Sequence, residues 1–210
     1  EDVKNKHGIT LTHVGAMGIS AMMHGYMAFD ENDRLLVPFR TWRNTTTKQA
    51  AEELSEALGF NIPQRWSIAH LYQAVLNGEA HVPQISHITT LAGYINYLLT
   101  GERAVGIGEA SGIFPVSRTD YNAEMLRTAE EKLSSHGFDK KLAEVLPPVK
   151  IAGEKGAFLT ESGAKFLDPT GTFKAGVPVC PPEGDAGTGM VAANAVRSGT
   201  GNVSAGTSVF

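Results

Sequence analysis

VPVCPPEGDAGTGMVAANAVRSGTGNVSAGTS, residues 177–208, is the stretch of the sequence that decides the fold. It opens with a short apolar strand at residues 177–180, which leads through two prolines to the acidic residue Asp185. Residues 186–196 follow a helical pattern, and a short strand at 202–204 runs into a glycine turn. Strand, acidic turn, helix, strand and glycine turn are typical of an α/β domain that handles nucleotides. Because ligands of such domains bind where strands run into loops, these junctions are the first candidates for a site.

The preceding residues predict a mixture of helices and strands. Residues 13–20 (HVGAMGIS) predict a short buried strand, and residues 26–29 and 35–39 predict a hairpin around a polar turn. Apolar positions three and four residues apart predict helices that begin near Thr46 (with a capping box to Gln49), Ser67 (as the capping residue), Leu91, Asn122 and Asp139. The glycines expected to end them in the left-handed conformation are Gly59, Gly78, Gly101 and Gly137.

The composition excludes several classes of protein. The 210 residues carry 18 basic and 22 acidic side chains, and 42% of the residues are hydrophobic, as in a globular domain. No basic block indicates nucleic-acid binding, and no apolar run approaches the length of a membrane span. The single cysteine, Cys180, excludes a disulfide framework and predicts a buried, inert thiol. We therefore expect a cytoplasmic protein without nucleic-acid or membrane partners.

Common catalytic motifs are absent from the sequence. There is no Gly-Lys dipeptide and hence no P-loop, and neither HExxH nor CxxC occurs. NVSAG, residues 202–206, lacks the first glycine of a nucleophile elbow, and GIGEASG, residues 106–112, misses the dinucleotide-binding spacing. No metal-ligating residue is predicted. Candidate function therefore rests on three other positions.

The first position is Asp185, between a predicted strand and a predicted helix. An aspartate there is a good helix N-cap, because its carboxylate accepts backbone N–H groups. It could also act as a general base, since the flanking glycines Gly184 and Gly187 would let a substrate hydroxyl approach. The two roles are compatible, and the sequence leaves both open.

The other two positions are a glycine turn and a pair of ring-bearing residues. Gly206, Thr207 and Ser208 follow a predicted strand and resemble an anion nest for phosphate, although they also suit an ordinary hairpin turn. His24 and Trp42 each stand near a strand end, where they could bind a sugar through a ring face and polar contacts. A structural histidine and a core tryptophan are the alternatives.

In order, these pieces resemble the FGGY family of carbohydrate kinases along essentially the whole chain. The residues that carry the resemblance are GISAMMHG (18–25), Trp42-Arg43-Asn44, LAGYINYLLTGE (91–102), GEASG (108–112), PPEGDAGTGMVAANAV (181–196) and SAGTSVF (204–210). Single motifs of this kind are common, whereas six in the family's order are specific.

The resemblance implies a fold, a reaction and a set of site residues. The fold would be α/β, an actin-like, ribonuclease H-like ATPase domain with a mixed central sheet flanked by helices. The reaction would transfer the γ-phosphate of ATP, with Mg²⁺, to a hydroxyl of a small sugar, and we expect a ketopentose such as xylulose or ribulose. Asp185 would be the catalytic base. Met23, His24 and Trp42 would contact the sugar, and Gly206, Thr207 and Ser208 would bind the γ-phosphate.

The resemblance also implies a domain organisation. Residues 1–210 correspond to most of the family's N-terminal, sugar-binding domain, so the first phosphate hairpin would precede Glu1 and the ATP-binding domain would follow Phe210. We therefore expect the 210 residues alone to lack kinase activity, and the parent protein to form a homodimer as family members do. The sequence departs from the family pattern at Met22, at Ala186 and at residues 43–45, and these changes bear on the choice of sugar.

Three alternatives to an active kinase stay open at this point. A degenerate relative could bind a sugar without transferring phosphate, although such a protein would not need a base at Asp185. A glycosyl or sugar-phosphate hydrolase could use Glu109 and Asp185 as a carboxylate pair. A filament protein of the same fold would not need the sugar-contact motif at Met23 and His24.

Overall fold

A computed structural model describes residues 2–154 and 156–203 of the chain. The helices are α1 (Asp2–His7), α2 (Lys48–Leu58), α3 (Ser67–Leu76), α4 (Leu91–Thr100), α5 (Ile107–Ala110), α6 (Ala123–Ser134), α7 (Leu142–Val145), α8 (Glu161–Leu167) and α9 (Asp185–Ala192), with a 3₁₀ turn at Val82–Gln84. The strands are β1 (Ser20–Ala21), β2 (Met27–Phe29), β3 (His87–Thr89), β4 (Val105–Gly106), β5 (Val149–Lys150), β6 (Ala157–Phe158), β7 (Pro178–Val179) and β8 (Glu183–Gly184). In these ranges no helix has both the length and the apolar character needed to cross a membrane.

The strands form four short pairs, and backbone hydrogen bonds link the β4–β5, β1–β8 and β6–β7 pairs to one another. β1 pairs in parallel with β8 and β4 with β5, whereas the β2–β3 and β6–β7 pairs are antiparallel. The N–H of Gly106, in β4, donates to the carbonyl of Pro182 at 2.7 Å, and the N–H of Met17 donates to Pro178 at 2.8 Å. β4 and the segment that leads into β1 therefore lie beside the chain that carries β7 and β8.

Two apolar clusters hold these elements together. The larger joins α2, α3 and α6 to the β2–β3 pair through side chains withdrawn from solvent, which include Tyr26, Leu54, Ile68, Tyr72, Ile88, Phe114 and Leu133. The smaller packs α4 and α8 against β7 through Leu99, Leu159, Ala164, Val177 and Val179. Burial of this apolar surface is the main force that stabilises the fold.

The hairpin and the helix stops predicted from sequence are confirmed. Antiparallel bridges join Tyr26 to Arg40 and Phe29 to Leu35, as the hairpin requires. Gly59, Gly78, Gly101 and Gly137 all have positive φ, the left-handed conformation that glycine adopts without a Cβ penalty. Strand β7 confirms the apolar strand predicted at residues 177–180.

Other local predictions were wrong, each for an identifiable reason. The capping box at Thr46 does not form, because the Thr46 hydroxyl donates to Asn44 Oδ1 at 2.7 Å and α2 begins two residues later. Ser67 does not cap α3 but is its first residue, and its hydroxyl donates to the carbonyl of Gly25 at 2.6 Å. The strand predicted at residues 13–20 pairs only at Met17, in a single parallel bridge to Val179, and at Ser20, where β1 begins, and most of its residues are exposed instead of buried. Cys180 is exposed, so the prediction of a buried thiol is also wrong.

Candidate functional site

Two parallel strand ends meet at one edge of the sheet and bring the candidate residues together. In the β1–β8 pair, Ser20 lies opposite Glu183 and Ala21 lies opposite Gly184. Because the strands are parallel, Met22 to His24 leave β1 at the same edge at which Asp185 leaves β8. The carboxyl ends of parallel strands are where ligands of open α/β sheets bind. Residues far apart in the sequence therefore form one site.

Asp185 is the first residue of α9 and its carboxylate points toward the other strand. Asp185 Oδ1 accepts a hydrogen bond from the backbone N–H of Met23, with a donor–acceptor distance of 3.2 Å. Gly184, not Asp185, occupies the N-cap position of α9, and no side chain caps this helix. The capping role that the sequence left open is therefore not the role of this carboxylate. Asp185 is exposed, so a ligand can reach it.

The Met23 side chain packs against the backbone of Gly184. A Cβ on Gly184 would overlap Met23 Cγ, and it would lie 2.8 Å from the Met23 sulfur. Only a glycine before Asp185 lets the thioether come this close. Met23 is half-buried and forms part of the floor beside the carboxylate.

His24 turns its ring toward the loop that follows α5. Its Nδ1 lies 3.3 Å from the carbonyl oxygen of Gly112, and because a carbonyl only accepts, Nδ1 carries the proton. Burial lowers the pKa of His24, and Arg65 lowers it further, against the opposing effects of the Gly112 hydrogen bond and of Asp185. A neutral ring with Nδ1 protonated leaves Nε2 as a hydrogen-bond acceptor. The φ of His24 is 67°, an uncommon conformation for a residue with a side chain, and such conformations cluster at functional sites.

Trp42 lies in a turn directly after the second strand of the hairpin, two residues beyond Arg40. The hairpin pairing ends at the Tyr26–Arg40 bridge, because the N–H of Gly25 donates to the carbonyl of Arg65 and His24 has a positive φ. Trp42 is half-buried, and the Arg43 guanidinium lies 5.1 Å from the centre of the indole ring. The arrangement brings Trp42 to the same end of the hairpin as His24, as a sugar platform would require.

Two further carboxylates lie behind Asp185. Glu183 Oε2 accepts the backbone N–H of Glu109 at 2.9 Å, and its carboxylate contacts Gly106 and Gly108, where a Cβ would collide with it. Glu109 is completely buried, and among the residues that the structure describes neither of its carboxylate oxygens has a hydrogen-bond partner. Sequence analysis missed Glu183, although the glycines at 106 and 108 were a signal that another side chain packs there.

The remaining predicted site residues cannot be placed. Gly206, Thr207 and Ser208 lie outside the described residues, so their role in phosphate binding stays a prediction. Within residues 2–154 and 156–203, no group of three His, Cys, Asp or Glu side chains could hold a metal ion.

Comparison with sequence families gives a match over most of the chain. Residues 1–192 match the model described as "FGGY family of carbohydrate kinases, N-terminal domain". A xylulose kinase from Haemophilus influenzae is 27% identical to the chain over 221 aligned positions, which cover 99% of the chain and 42% of that kinase. The chain thus spans less than half the length of this curated relative.

Solved structures of sugar kinases share the fold. A xylulose kinase from Rhodospirillum rubrum has a TM-score of 0.71 at 22% identity, with 88% of this chain and 38% of that chain covered. A Plasmodium falciparum glycerol kinase, solved with ADP, has a TM-score of 0.71 at 14% identity, with 93% and 39% covered. These likenesses confirm the predicted fold class, the actin-like ATPase fold, with mixed short sheets flanked by helices.

Proposed function

This chain belongs to the FGGY family of carbohydrate kinases, and from that premise we propose that it is the sugar-binding part of an ATP-dependent kinase whose catalytic base is Asp185. The observation that carries the proposal is the meeting of the β1 and β8 ends, where the exposed Asp185 carboxylate lies hydrogen-bonded to the Met23 backbone. A base at such an edge has access to a hydroxyl in the cleft.

Asp185 would accept the proton of the attacking sugar hydroxyl. A general base must lie within hydrogen-bond reach of the proton that it removes, and the exposure of Asp185 permits this approach. The Met23 N–H holds one carboxylate oxygen at 3.2 Å, which limits the orientations that the side chain can adopt. This positioning matters because phosphoryl transfer depends mainly on alignment and electrostatic stabilisation.

His24, Met23 and Trp42 would hold the sugar. His24 Nε2, as the free acceptor of a neutral ring, would receive a hydrogen bond from a second hydroxyl, and its Nδ1 contact with Gly112 fixes the ring. The Met23 thioether and the Trp42 ring would cover the apolar C–H face of the sugar. ATP, accompanied by Mg²⁺, supplies the phosphoryl group when bound, and Gly206, Thr207 and Ser208 are the residues that we propose for its γ-phosphate.

The substrate that we propose is a ketopentose, with xylulose first and ribulose second. Support comes from the curated Haemophilus influenzae relative, which is named a xylulose kinase and aligns with 99% of this chain. A kinase that uses ATP fits the cytoplasm, and we propose that the whole protein is a homodimer there, by analogy with the family.

The test is an ADP-release assay of the whole kinase with ATP, Mg²⁺ and a panel of ketoses, polyols and aldonates. One sugar should give turnover, and Asp185→Asn should lower kcat by about a hundredfold or more, since a positioned base contributes roughly a hundredfold to ten-thousandfold. Asp139→Asn, at an exposed acid after α6, is the matched control and should keep its activity.

Failure of the assay has a specific meaning. If no sugar gives turnover while one still raises the melting temperature, the protein is a non-catalytic sugar-binding relative and the proposed role of Asp185 is wrong. The hydrolase alternative has no comparable support, because the family that matches the chain consists of kinases.

A further inference from the structure

Glu109 is a buried acid that the proposed mechanism does not use. Its side chain is completely withdrawn from solvent, and within the described part of the chain neither carboxylate oxygen meets a hydrogen-bond partner. Leaving a buried carboxylate charged and unpartnered costs far more than leaving a carboxylic acid there. Packing alone therefore does not explain why an acid occupies this buried position.

The position of Glu109 connects it to the catalytic candidate. A Cβ on Gly184, the residue before Asp185, would lie 2.5 Å from Glu109 Oε2. The same Cβ position would also contact the Met23 side chain, so both Glu109 and Met23 pack against Gly184. Glu109 therefore lies directly behind the floor of the proposed sugar site.

The charges around Glu109 are of its own sign. The neighbouring ionisable groups are the acids Glu183 and Asp185 and the phenol of Tyr121. The Thr90 hydroxyl is nearby but does not reach hydrogen-bonding geometry, and Lys150, on β5, pairs with Glu102 at 2.7 Å instead. No salt bridge to Glu109 occurs among the described residues, and so no positive charge there pairs with an ionised Glu109.

We propose that Glu109 is held as an uncharged carboxylic acid behind Asp185 and is a positioning residue that keeps a second negative charge away from the floor of the sugar site. This inference rests on the proposed function of Asp185. Burial raises the pKa of Glu109 to about 7, with Glu183 and Asp185 raising it further and Thr90 opposing them. Ionisation of Glu109 places a second negative charge behind the cleft, where it opposes the negatively charged phosphates that must approach Asp185.

The first test measures the melting temperature of the chain from pH 5 to pH 8 and does not depend on kinase activity. A glutamate whose pKa is raised in the folded state lowers stability progressively as the pH rises from about 4.5 to about 7. Glu109→Gln removes this loss, so its melting temperature should gain roughly 5 °C or more on wild type between pH 5 and pH 8. Glu161→Gln, at an exposed acid at the start of α8, should follow wild type.

The second test measures kcat/KM of the whole kinase against pH. Wild type should lose about tenfold as the pH rises through 7, the size expected for one added charge at short range, while Glu109→Gln should not. If Glu109→Gln does not fold, Glu109→Met, which fills the same volume without a polar group, serves instead.

The outcomes separate the two proposals. A Glu109→Gln variant whose melting temperature follows wild type at every pH overturns the inference, whatever the activity. The positioning role is also overturned if Glu109→Gln gains melting temperature as the pH rises but kcat/KM falls above pH 7 equally in the variant and in wild type. A wild-type kinase that turns over no sugar refutes the proposed function instead, while the melting comparison still reports the charge state of Glu109.

Discussion

Gly184 separates Glu183 from Asp185, and its missing side chain decides what packs in the site. Its φ of −78° is available to any residue, so the requirement for glycine is steric and not conformational. Met23 on one side and Glu109 on the other occupy the space that a Cβ would need. The glycine thus lets a side chain from the segment after β1 and one from α5 meet under the catalytic candidate.

Gly184→Ala should weaken sugar binding and the fold together. The added methyl group would displace Met23 or Glu109, and overpacking of this kind costs about 1–3 kcal/mol. Urea denaturation of the chain measures this cost, and the shift of melting temperature with added xylulose measures binding. Gly189→Ala is the control, because nothing lies within 4 Å of its Cβ and alanine favours helix α9 by about 1 kcal/mol. Equal behaviour of the two variants would contradict the packing described for Gly184.

The candidate site could be predicted from the sequence only in part. Asp185 and His24 were found because their motifs are local, and the structure brings both to the β1–β8 edge. The glycines at 106 and 108 indicate that a side chain packs beside them but not that it is Glu183, and the unpartnered state of Glu109 depends on contacts between residues far apart in the sequence. The prediction that Thr46 and Ser67 cap helices was also wrong. Their hydroxyls donate to Asn44 and to the carbonyl of Gly25 instead of accepting a backbone N–H of the helix that follows.

At the scale of elements, the carboxylate of Glu53 in α2 contacts side chains of α3 and α6. Glu53, in α2, accepts hydrogen bonds from Tyr72 of α3 at 2.7 Å and from Gln49 at 3.0 Å, and Lys132 of α6 lies 2.9 Å away. The hydrogen bonds from Lys132 and Tyr72, in that order, lower the pKa of Glu53 to about 2. The larger apolar cluster lies beneath these helices, so this contact fixes how the helices meet over it.

Glu53→Gln should destabilise the chain at neutral pH by about 1–2 kcal/mol, after allowance for the solvent that reaches the pair. Because the pKa of Glu53 is lowered in the folded state, its contribution is complete above about pH 4.5 and disappears as the pH falls toward 2. Denaturant unfolding at pH 7 and pH 3 should show this convergence of variant and wild type. Glu52→Gln, whose carboxylate is exposed and 3.7 Å from Lys48, should change stability by well under 1 kcal/mol. A pH-independent effect of Glu53→Gln would contradict the account.

Elements were predicted better than their ends. The helices later observed as α2, α3, α4 and α6 follow from apolar periodicity and from the glycines after them, which are properties of neighbouring residues. Strands of two or three residues carry too little pattern to be located in this way. Their pairing depends on partners far along the chain, and so the strand predicted at residues 13–20 was too long.

At the scale of the whole molecule, the chain covers 42% of its Haemophilus influenzae relative. We expect the 210 residues alone to bind the sugar without releasing ADP, because the residues that we propose as sugar contacts lie in this chain and we propose that ATP binds mainly to a further domain. The assay incubates the purified chain with ATP, Mg²⁺ and xylulose, and the Asp185→Asn chain provides the background. Sugar-dependent ADP release above that background would contradict the expectation.

The β1–β8 pair also has a consequence for the order of folding. Met23 and Asp185 are 162 residues apart, so their contact requires the closure of a long loop and a large loss of chain entropy. Contacts among the helices join residues closer in sequence and lose less entropy. We therefore expect α2, α3 and α6 to assemble first and the two halves of the site to meet after the transition state. Interactions formed that late act on the unfolding rate. A sugar that bridges Asp185 and His24 would accordingly lengthen the lifetime of the folded chain while leaving its folding rate unchanged.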